Sequence, residues 1–155
     1  MSLDSDSHFG NLLTSKMRIT GVWTIHNYCS TIKLMTPKRV LYAEDELTNR
    51  KLIQIRLQEE GIKCDTAENG KEALELFSNA VYDMVILDHY MPLKNGDQVA
   101  KEIRKVNPSI PIIGITSDDE SAGYLTTCGF NEVIVKPLKG YASILRILNY
   151  LREDL

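Results

Sequence analysis

Cysteine is scarce in this chain. Three occur in 155 residues, and Cys29, Cys64 and Cys128 are scattered along it. An odd, dispersed set excludes a disulfide framework and fits a reducing compartment. No cysteine–histidine spacing resembles a zinc site. An excess of positive charge is also missing, since 18 Lys and Arg face 21 Asp and Glu for a net charge of −3. Without a basic field, DNA or RNA is not expected as a direct partner. No uninterrupted apolar run is long enough to span a bilayer, so membrane insertion is not expected. The opening residues Met1 to Asp6 lack the positive start and apolar block of a secretory signal, which makes the cytoplasm the expected location. Hydrophobic content of 43% and charged content of 25% are ordinary for a globular protein. The length suits one domain with a normal core and an appendage.

Two regions differ in character. Residues 1–37 are rich in Ser, Thr, Asn and Gly and show weak periodicity. Within them Gly21-Val22-Trp23-Thr24-Ile25 has β-propensity. It could add an edge strand, pack on a partner or be disordered. Met1-Ser2-Leu3 reads as a cloning scar, and Met35 as a natural start of the ordered part. From Lys38 onward strands and helices alternate, so the expected domains are an extension over 1–37 and a single folded unit over 38–155.

The expected strands are Arg39 to Ala43, Ile62 to Ala67, a third within Tyr82 to Asp88, Ile110 to Thr116, and Phe130 to Val135. Helices are expected from Leu47 to Glu60, stopped by Gly61, and around Ala73, Leu76, Phe77 and Ala80, which share one face. A third carries the stripe Val99, Ile103 and Val106. A weaker one over Ser117 to Cys128 is interrupted by Gly123. The last, Leu138 to Leu151, has Tyr141, Ile144, Leu145 and Leu148 on one face. Five βα units with near-continuous apolar strands imply an α/β fold: a doubly wound, five-stranded parallel sheet flanked by helices, flavodoxin-like in type. Ligands of such sheets sit beyond the carboxyl ends of the strands, near the point where strand order reverses.

Acids and one lysine fall at those ends. Val40-Leu41-Tyr42-Ala43 runs into Glu44-Asp45, Met84-Val85-Ile86-Leu87 runs into Asp88, and the fifth strand runs into Lys136-Pro137. Crowded carboxylates need a compensating cation. Oxygen donors of this kind suit a hard divalent ion, most simply Mg²⁺. Such a site could accept a phosphoryl group on one carboxylate, with Lys136 holding an oxygen and Thr116 donating its hydroxyl. More ordinary roles exist for each residue. Glu44-Asp45 could merely cap the next helix. Thr116 could cap the helix after it, and Ser117 beside it offers a second hydroxyl. Lys136 could be a solvated strand-end lysine. His89 is expected to be an exposed loop histidine, as is His26. Tyr124 is a candidate exposed contact for a partner.

From Lys38 to the C-terminus the chain resembles the receiver domain of two-component response regulators, the chemotaxis-regulator-like family. The matching residues are Glu44-Asp45, Leu87-Asp88-His89-Tyr90-Met91-Pro92 with Gly96 beyond, Thr116, and Lys136-Pro137. The resemblance implies that Asp88 is the phosphoacceptor. It also implies that Glu44 and Asp45 hold Mg²⁺ with Asp88 and the backbone carbonyl of Tyr90, one acid of the pair binding directly and the other through water. Thr116 and Lys136 would contact the phosphoryl group, and the Lys136-Pro137 bond would be cis. The implied donor is a phosphohistidine on a sensor histidine kinase or histidine phosphotransfer domain. The implied output is a partner-binding surface on the fourth helix, fifth strand and fifth helix, read by a downstream protein effector. Catalysis would be limited to self-phosphorylation and dephosphorylation.

The match has departures. The acidic pair is Glu-Asp rather than Asp-Asp. Val133 stands where many members carry an aromatic switch residue. Tyr90 and Asp118 occupy the two variable positions flanking the site. Three other functions compete. A degenerate receiver could bind partners without phosphorylation. An Asp-nucleophile Mg²⁺ phosphatase would need a second Asp where Tyr90 stands. A flavin-binding domain would need a phosphate loop where Glu44-Asp45-Glu46 stand.

Overall fold

A computed structural model describes residues 37–138 and 141–152, and the side chains of Tyr141 and Arg152 are outside that description. The expectations for Trp23, His26 and Cys29 lie outside the described residues. Five strands form one parallel sheet: β1 Arg39–Ala43, β2 Lys63–Ala67, β3 Met84–Asp88, β4 Ile112–Thr116 and β5 Glu132–Val135. Five helices alternate with them: α1 Leu47–Glu59, α2 Gly70–Asn79, α3 Gly96–Val106, α4 Asp119–Thr127 and α5 Tyr141–Arg152. The strand order is β2-β1-β3-β4-β5. All four pairings are parallel. The expected α/β architecture is therefore present, with element ends shifted by one to a few residues.

Strand alternation divides the core into two layers. Leu41, Ala43, Val85 and Leu87 face a cluster that includes Ala73 of α2, Val99, Ala100 and Ile103 of α3, and Leu125 of α4. Val40, Tyr42, Met84 and Ile86 face the opposite cluster, with Ile53 and Leu57 of α1 and Ile144, Ile147 and Leu148 of α5. A strand buried on both faces cannot alternate apolar with polar, which is why β1, β3 and β4 read as unbroken apolar runs.

Two helix expectations need correction. Val106 is 74% exposed, whereas Ala100 is buried beside Val99 and Ile103. The buried stripe follows i, i+1 and i+4, and Val106 turns past it at the last residue of the helix. On α5, Ile144 and Leu148 are buried as expected, Ile147 and Leu151 join them, and Leu145 is only partly covered.

Helix ends follow local chemistry. After α1, Gly61 adopts φ of 75°. Its N–H bonds the Gln58 carbonyl, and the Ile62 N–H bonds that of Leu57. This paired closure needs a left-handed residue, which glycine supplies without strain. Asn69 caps α2 by accepting from the Glu72 N–H at 2.9 Å.

Away from the acids, Arg104 ties three segments together. Its Nε donates to the Gly129 carbonyl at 2.8 Å, Nη1 to that of Ile110 at 2.6 Å, and Nη2 to Asn131 Oδ1 at 2.7 Å. Asn131 Oδ1 in turn accepts from the Ile112 N–H at the start of β4. Arg104→Ala strands these carbonyls and should lower stability by about 1–3 kcal/mol. Urea denaturation checks this, with metal binding at the far end of the sheet expected to be unchanged.

Candidate functional site

Strand β1 is paired with β2 on one side and β3 on the other, so strand order reverses at β1 and β3. Ala43 pairs with Leu87 across them, which sets Glu44 beside Asp88 at the strand ends. Thr116 pairs with Val135, and the Lys136 N–H bonds the Thr116 carbonyl at 2.7 Å. Parallel register thus delivers residues from four strings of sequence to one edge.

Glu44, Asp45 and Asp88 each place a carboxylate oxygen within 4.8 Å of the others. Glu44 and Asp88 are 1% and 4% exposed, while Asp45 opens to solvent. Lys136 enters between the two buried acids. Its Nζ lies 3.1 and 3.0 Å from the two oxygens of Glu44 and 2.9 Å from Asp88 Oδ1. Burial alone would pull the ammonium pKa down, but hydrogen bonds to Asp88 and Glu44 outweigh it and hold the group above its usual value. The pKa of Asp88 is pushed up to about 6. Burial is the largest cause, Lys136 pulls the other way, and the charges of Glu44 and Asp45 add to the rise. One lysine shared between two acids does not fully offset the desolvation of Asp88.

The acidic pair is held from behind. Arg50 of α1 donates Nη1 to the carbonyls of Glu44 and Asp45 at 2.6 and 2.7 Å. Asn49 donates to Glu44 Oε1 at 3.3 Å, and the Tyr42 hydroxyl to Glu44 Oε2 at 3.0 Å. Burial, then the charge and hydrogen bond of Glu44, push the Tyr42 phenol far above its ordinary pKa, so it remains a donor. Neither Glu44 nor Asp45 caps α1. The N-cap is Glu46, which makes no side-chain cap bond.

These supporting residues were absent from the sequence expectations. Tyr42 carries a signal: its phenol is the one polar tip in the apolar run Val40 to Ala43. Two residues before Glu44, it shares a strand face with it. Arg50 and Asn49 gave none, because polar residues on a first helical turn usually face solvent.

On β3 the loop after Asp88 folds back on itself. The Gly96 N–H bonds the His89 carbonyl at 2.9 Å. A Cβ on Gly96 would stand 2.3 Å from the Asp88 carbonyl oxygen, so this approach admits only glycine. His89 departs from expectation. It is 7% exposed, its ring lies 4.1 Å from that of Tyr90, and its Nδ1 has no hydrogen-bond partner. Its backbone N–H extends the ladder to the Ile115 carbonyl, so the residue continues the strand and turns inward.

Thr116 is fully buried, and its Oγ1 accepts from the Asp118 N–H at 3.1 Å. The hydroxyl therefore faces the turn into α4. Asp118 caps α4 through the Glu120 N–H and accepts from Ser121 Oγ at 2.5 Å; the Ser121 bond holds its carboxyl below the usual range. Tyr90, half exposed, brings its hydroxyl to 3.5 Å from Ser121 Oγ. The two variable positions are thus joined through Ser121. Val133 is partly buried against the core, and the Lys136-Pro137 bond is cis. Tyr124 is 52% exposed, with its hydroxyl 3.3 Å from Asp97 Oδ2 and from Lys101 Nζ.

Comparison with known proteins agrees with this geometry. Residues 40–147 match the response regulator receiver domain. The chain belongs to that family. It is 38% identical over 131 residues to a probable transcriptional regulator, ycf27, of Guillardia theta, covering 83% of this chain and 51% of the relative. It is 34% identical to the transcriptional regulatory protein ResD of Bacillus subtilis, covering 74% and 48%. The chain spans about half the length of these curated relatives. Among solved structures, the response regulator TrrA of Thermotoga maritima, in complex with Mg²⁺ and BeF, is 39% identical with a TM-score of 0.68, covering 73% of this chain and 98% of that one.

The raised pKa of Asp88 has a definite sign. The folded state binds the proton more tightly than the unfolded chain, so stability falls as pH rises between about 4 and 6. Asp88→Asn removes this dependence. In metal-free buffer, the stability of the variant relative to wild type should rise by about 2 kcal/mol from pH 4 to pH 7. Denaturation midpoints across that range measure it.

Proposed function

We propose that residues 38–155 form a phosphoacceptor module of a two-component phosphorelay, with Asp88 as the acceptor, and that residues 1–37 are an extension outside it. The observation that carries the proposal is a buried carboxylate, Asp88, at the switch point of the sheet, flanked by two acids and bonded to one lysine.

The donor set fits a hard divalent cation. Three carboxylates converge, and Asp45 opens to solvent as an entry point. Glu44, Asp45, Asp88 and the Tyr90 carbonyl would hold Mg²⁺. When bound, the ion offsets oxygen charge in phosphoryl transfer. Response regulators work with histidine kinases, so the donor is a phosphohistidine on a sensor kinase or a phosphotransfer domain.

A carboxylate oxygen of Asp88 attacks phosphorus. The new O–P bond forms as the P–N bond breaks, and the electron pair stays on the imidazole nitrogen. Lys136 is already in contact with Asp88 and can follow the phosphoryl oxygens. To do the same, the Thr116 hydroxyl must turn from the Asp118 N–H. Loss of phosphate to water is the only other chemistry this set supports, so the module is not a conventional enzyme.

Output runs through a surface formed by α4, β5 and α5, on which a downstream protein effector docks. Phosphorylation shifts an existing equilibrium of that surface rather than creating a new shape. No described helix is long and apolar enough to cross a membrane. The chain's net charge of −3 supplies no excess of positive charge for direct nucleic-acid contact. The free, buried Cys64 and Cys128 favour a reducing, cytoplasmic setting for it.

Incubation with Mg²⁺ and acetyl phosphate should add one phosphoryl mass that hydroxylamine removes. Asp88→Asn should show none, and Asp45→Asn should lose most of it through lost metal. Equal labelling of the Asp88 variant and wild type would sink the assignment.

A further inference from the structure

Glu44 has more protein donors than a metal ligand needs. Tyr42 and Lys136 bond its Oε2 at 3.0 Å each, while Asn49 and Lys136 bond Oε1 at 3.3 and 3.1 Å. Asp45, its neighbour, is exposed. The two acids of the pair are therefore in different states: one is fixed by the protein and one is free to meet a cation.

Tyr42 is the least adjustable of the donors to Glu44. It is fully buried in the cluster between the sheet and helices α1 and α5, so its ring cannot change rotamer without displacing residues packed in that cluster. The amide of Asn49 and the ammonium of Lys136 sit on longer or more exposed arms, and Lys136 is shared with Asp88. Alternation along β1 puts the phenol and the Glu44 side chain on one face, two residues apart.

We propose that Tyr42 is a positioning residue of the metal site. Its hydroxyl locks the longer Glu44 side chain, so that a glutamate holds its carboxylate where a shorter acid would reach unaided. The carboxylate is then presented to the cation, and to Lys136, in one orientation. Partners that orient a ligand in this way commonly set metal affinity by tenfold or more when removed. The inference rests on the reading that Glu44, Asp45 and Asp88 bind Mg²⁺.

Mg²⁺ titration of the full chain, followed by two-dimensional amide NMR, tests it. Tyr42→Phe keeps the ring and removes the hydroxyl. Its Mg²⁺ Kd should rise by about tenfold. With Glu44→Gln already present, the same change should alter Kd less than twofold, because the charged acceptor it positions is gone. A thermal melt without metal is the control for a purely structural role. If Y42F lowers the melting temperature but leaves Kd unchanged, the proposal is overturned. If Y42F raises Kd equally with and without E44Q, the effect does not pass through Glu44 and the proposal is again overturned. Wild-type protein that binds no Mg²⁺ would instead remove the parent reading, and this inference with it.

Should Y42F fail to fold, wild-type chain labelled with 3-fluorotyrosine decides the matter. The Tyr42 fluorine resonance, identified by its displacement in E44Q, should move with Mg²⁺ at the midpoint seen for the amides. A resonance that stays fixed through saturation overturns the assignment.

Discussion

The site depends on one ammonium group. Lys136 Nζ contacts both oxygens of Glu44 and one of Asp88, and both acids are removed from solvent. Without it, two buried carboxylates would stand side by side at the end of β1 and β3 with only Tyr42 and Asn49 to answer one of them. A buried ion pair gains little net stability, because desolvation consumes most of the attraction. Its value here is geometric. It brings the end of β5 to the ends of β1 and β3, across the intervening β4. The lysine is nevertheless shared, and burial, with the charges of Glu44 and Asp45, still leaves the Asp88 pKa raised. Three clustered carboxylates beside one ammonium leave spare negative charge, which a second cation would offset.

That arrangement follows from the sheet. Four parallel pairings fix which residues end side by side, and a one-residue slip in any of them would send its terminal side chain to the other face. The two-layer core makes such a slip costly, since it would send residues such as Leu41 and Leu87 out of the layer they fit and into the opposite one, mismatching the packing of both. Gly96 adds a second constraint by seating the β3–α3 loop against the Asp88 carbonyl. Stability resides in the apolar layers, and the acids sit on the scaffold they provide.

Much of this was legible in the sequence because the informative signals were local. Apolar runs ending in Glu44-Asp45, Asp88 and Lys136 reveal both the strands and the edge where they converge. What escaped depended on tertiary placement. His89 looked like a loop residue, yet the ladder continues through its N–H to Ile115, and the ring turns inward beside Tyr90. Val106 fitted a helical stripe that in fact closes one turn earlier, on Ile103. Arg50 and Asn49 sit on a helix whose apolar residues lie on both faces, with Ile53 and Leu57 buried and Leu52 and Ile55 exposed. No periodicity could say that those two polar residues point back at the acids. The orientation of the Thr116 hydroxyl toward Asp118 was likewise open until the turn into α4 was seen.

Val133 bears on how the site reaches the rest of the molecule. An aromatic ring on β5 would give a large lever between the strand ends and the surface beside α4; a valine packed in the core does not. Two other links lead to the start of α4. Thr116 Oγ1 bonds the N–H of Asp118, which is the N-cap of α4, and Tyr90 approaches Ser121, which Asp118 also holds. Both begin at residues within two positions of a strand end in the site. If Thr116 turns its hydroxyl toward a phosphoryl oxygen, the Asp118 N–H loses its acceptor, and the cap of α4 must adjust. The Tyr90–Ser121 contact at 3.5 Å is long for a hydrogen bond and yields readily to such a movement. In this chain α4 is coupled to the site by polar contacts at its first turn, where a cap contributes about 1 kcal/mol. Energies of that size are small enough to be reversed by one phosphoryl group and large enough to change a population several-fold.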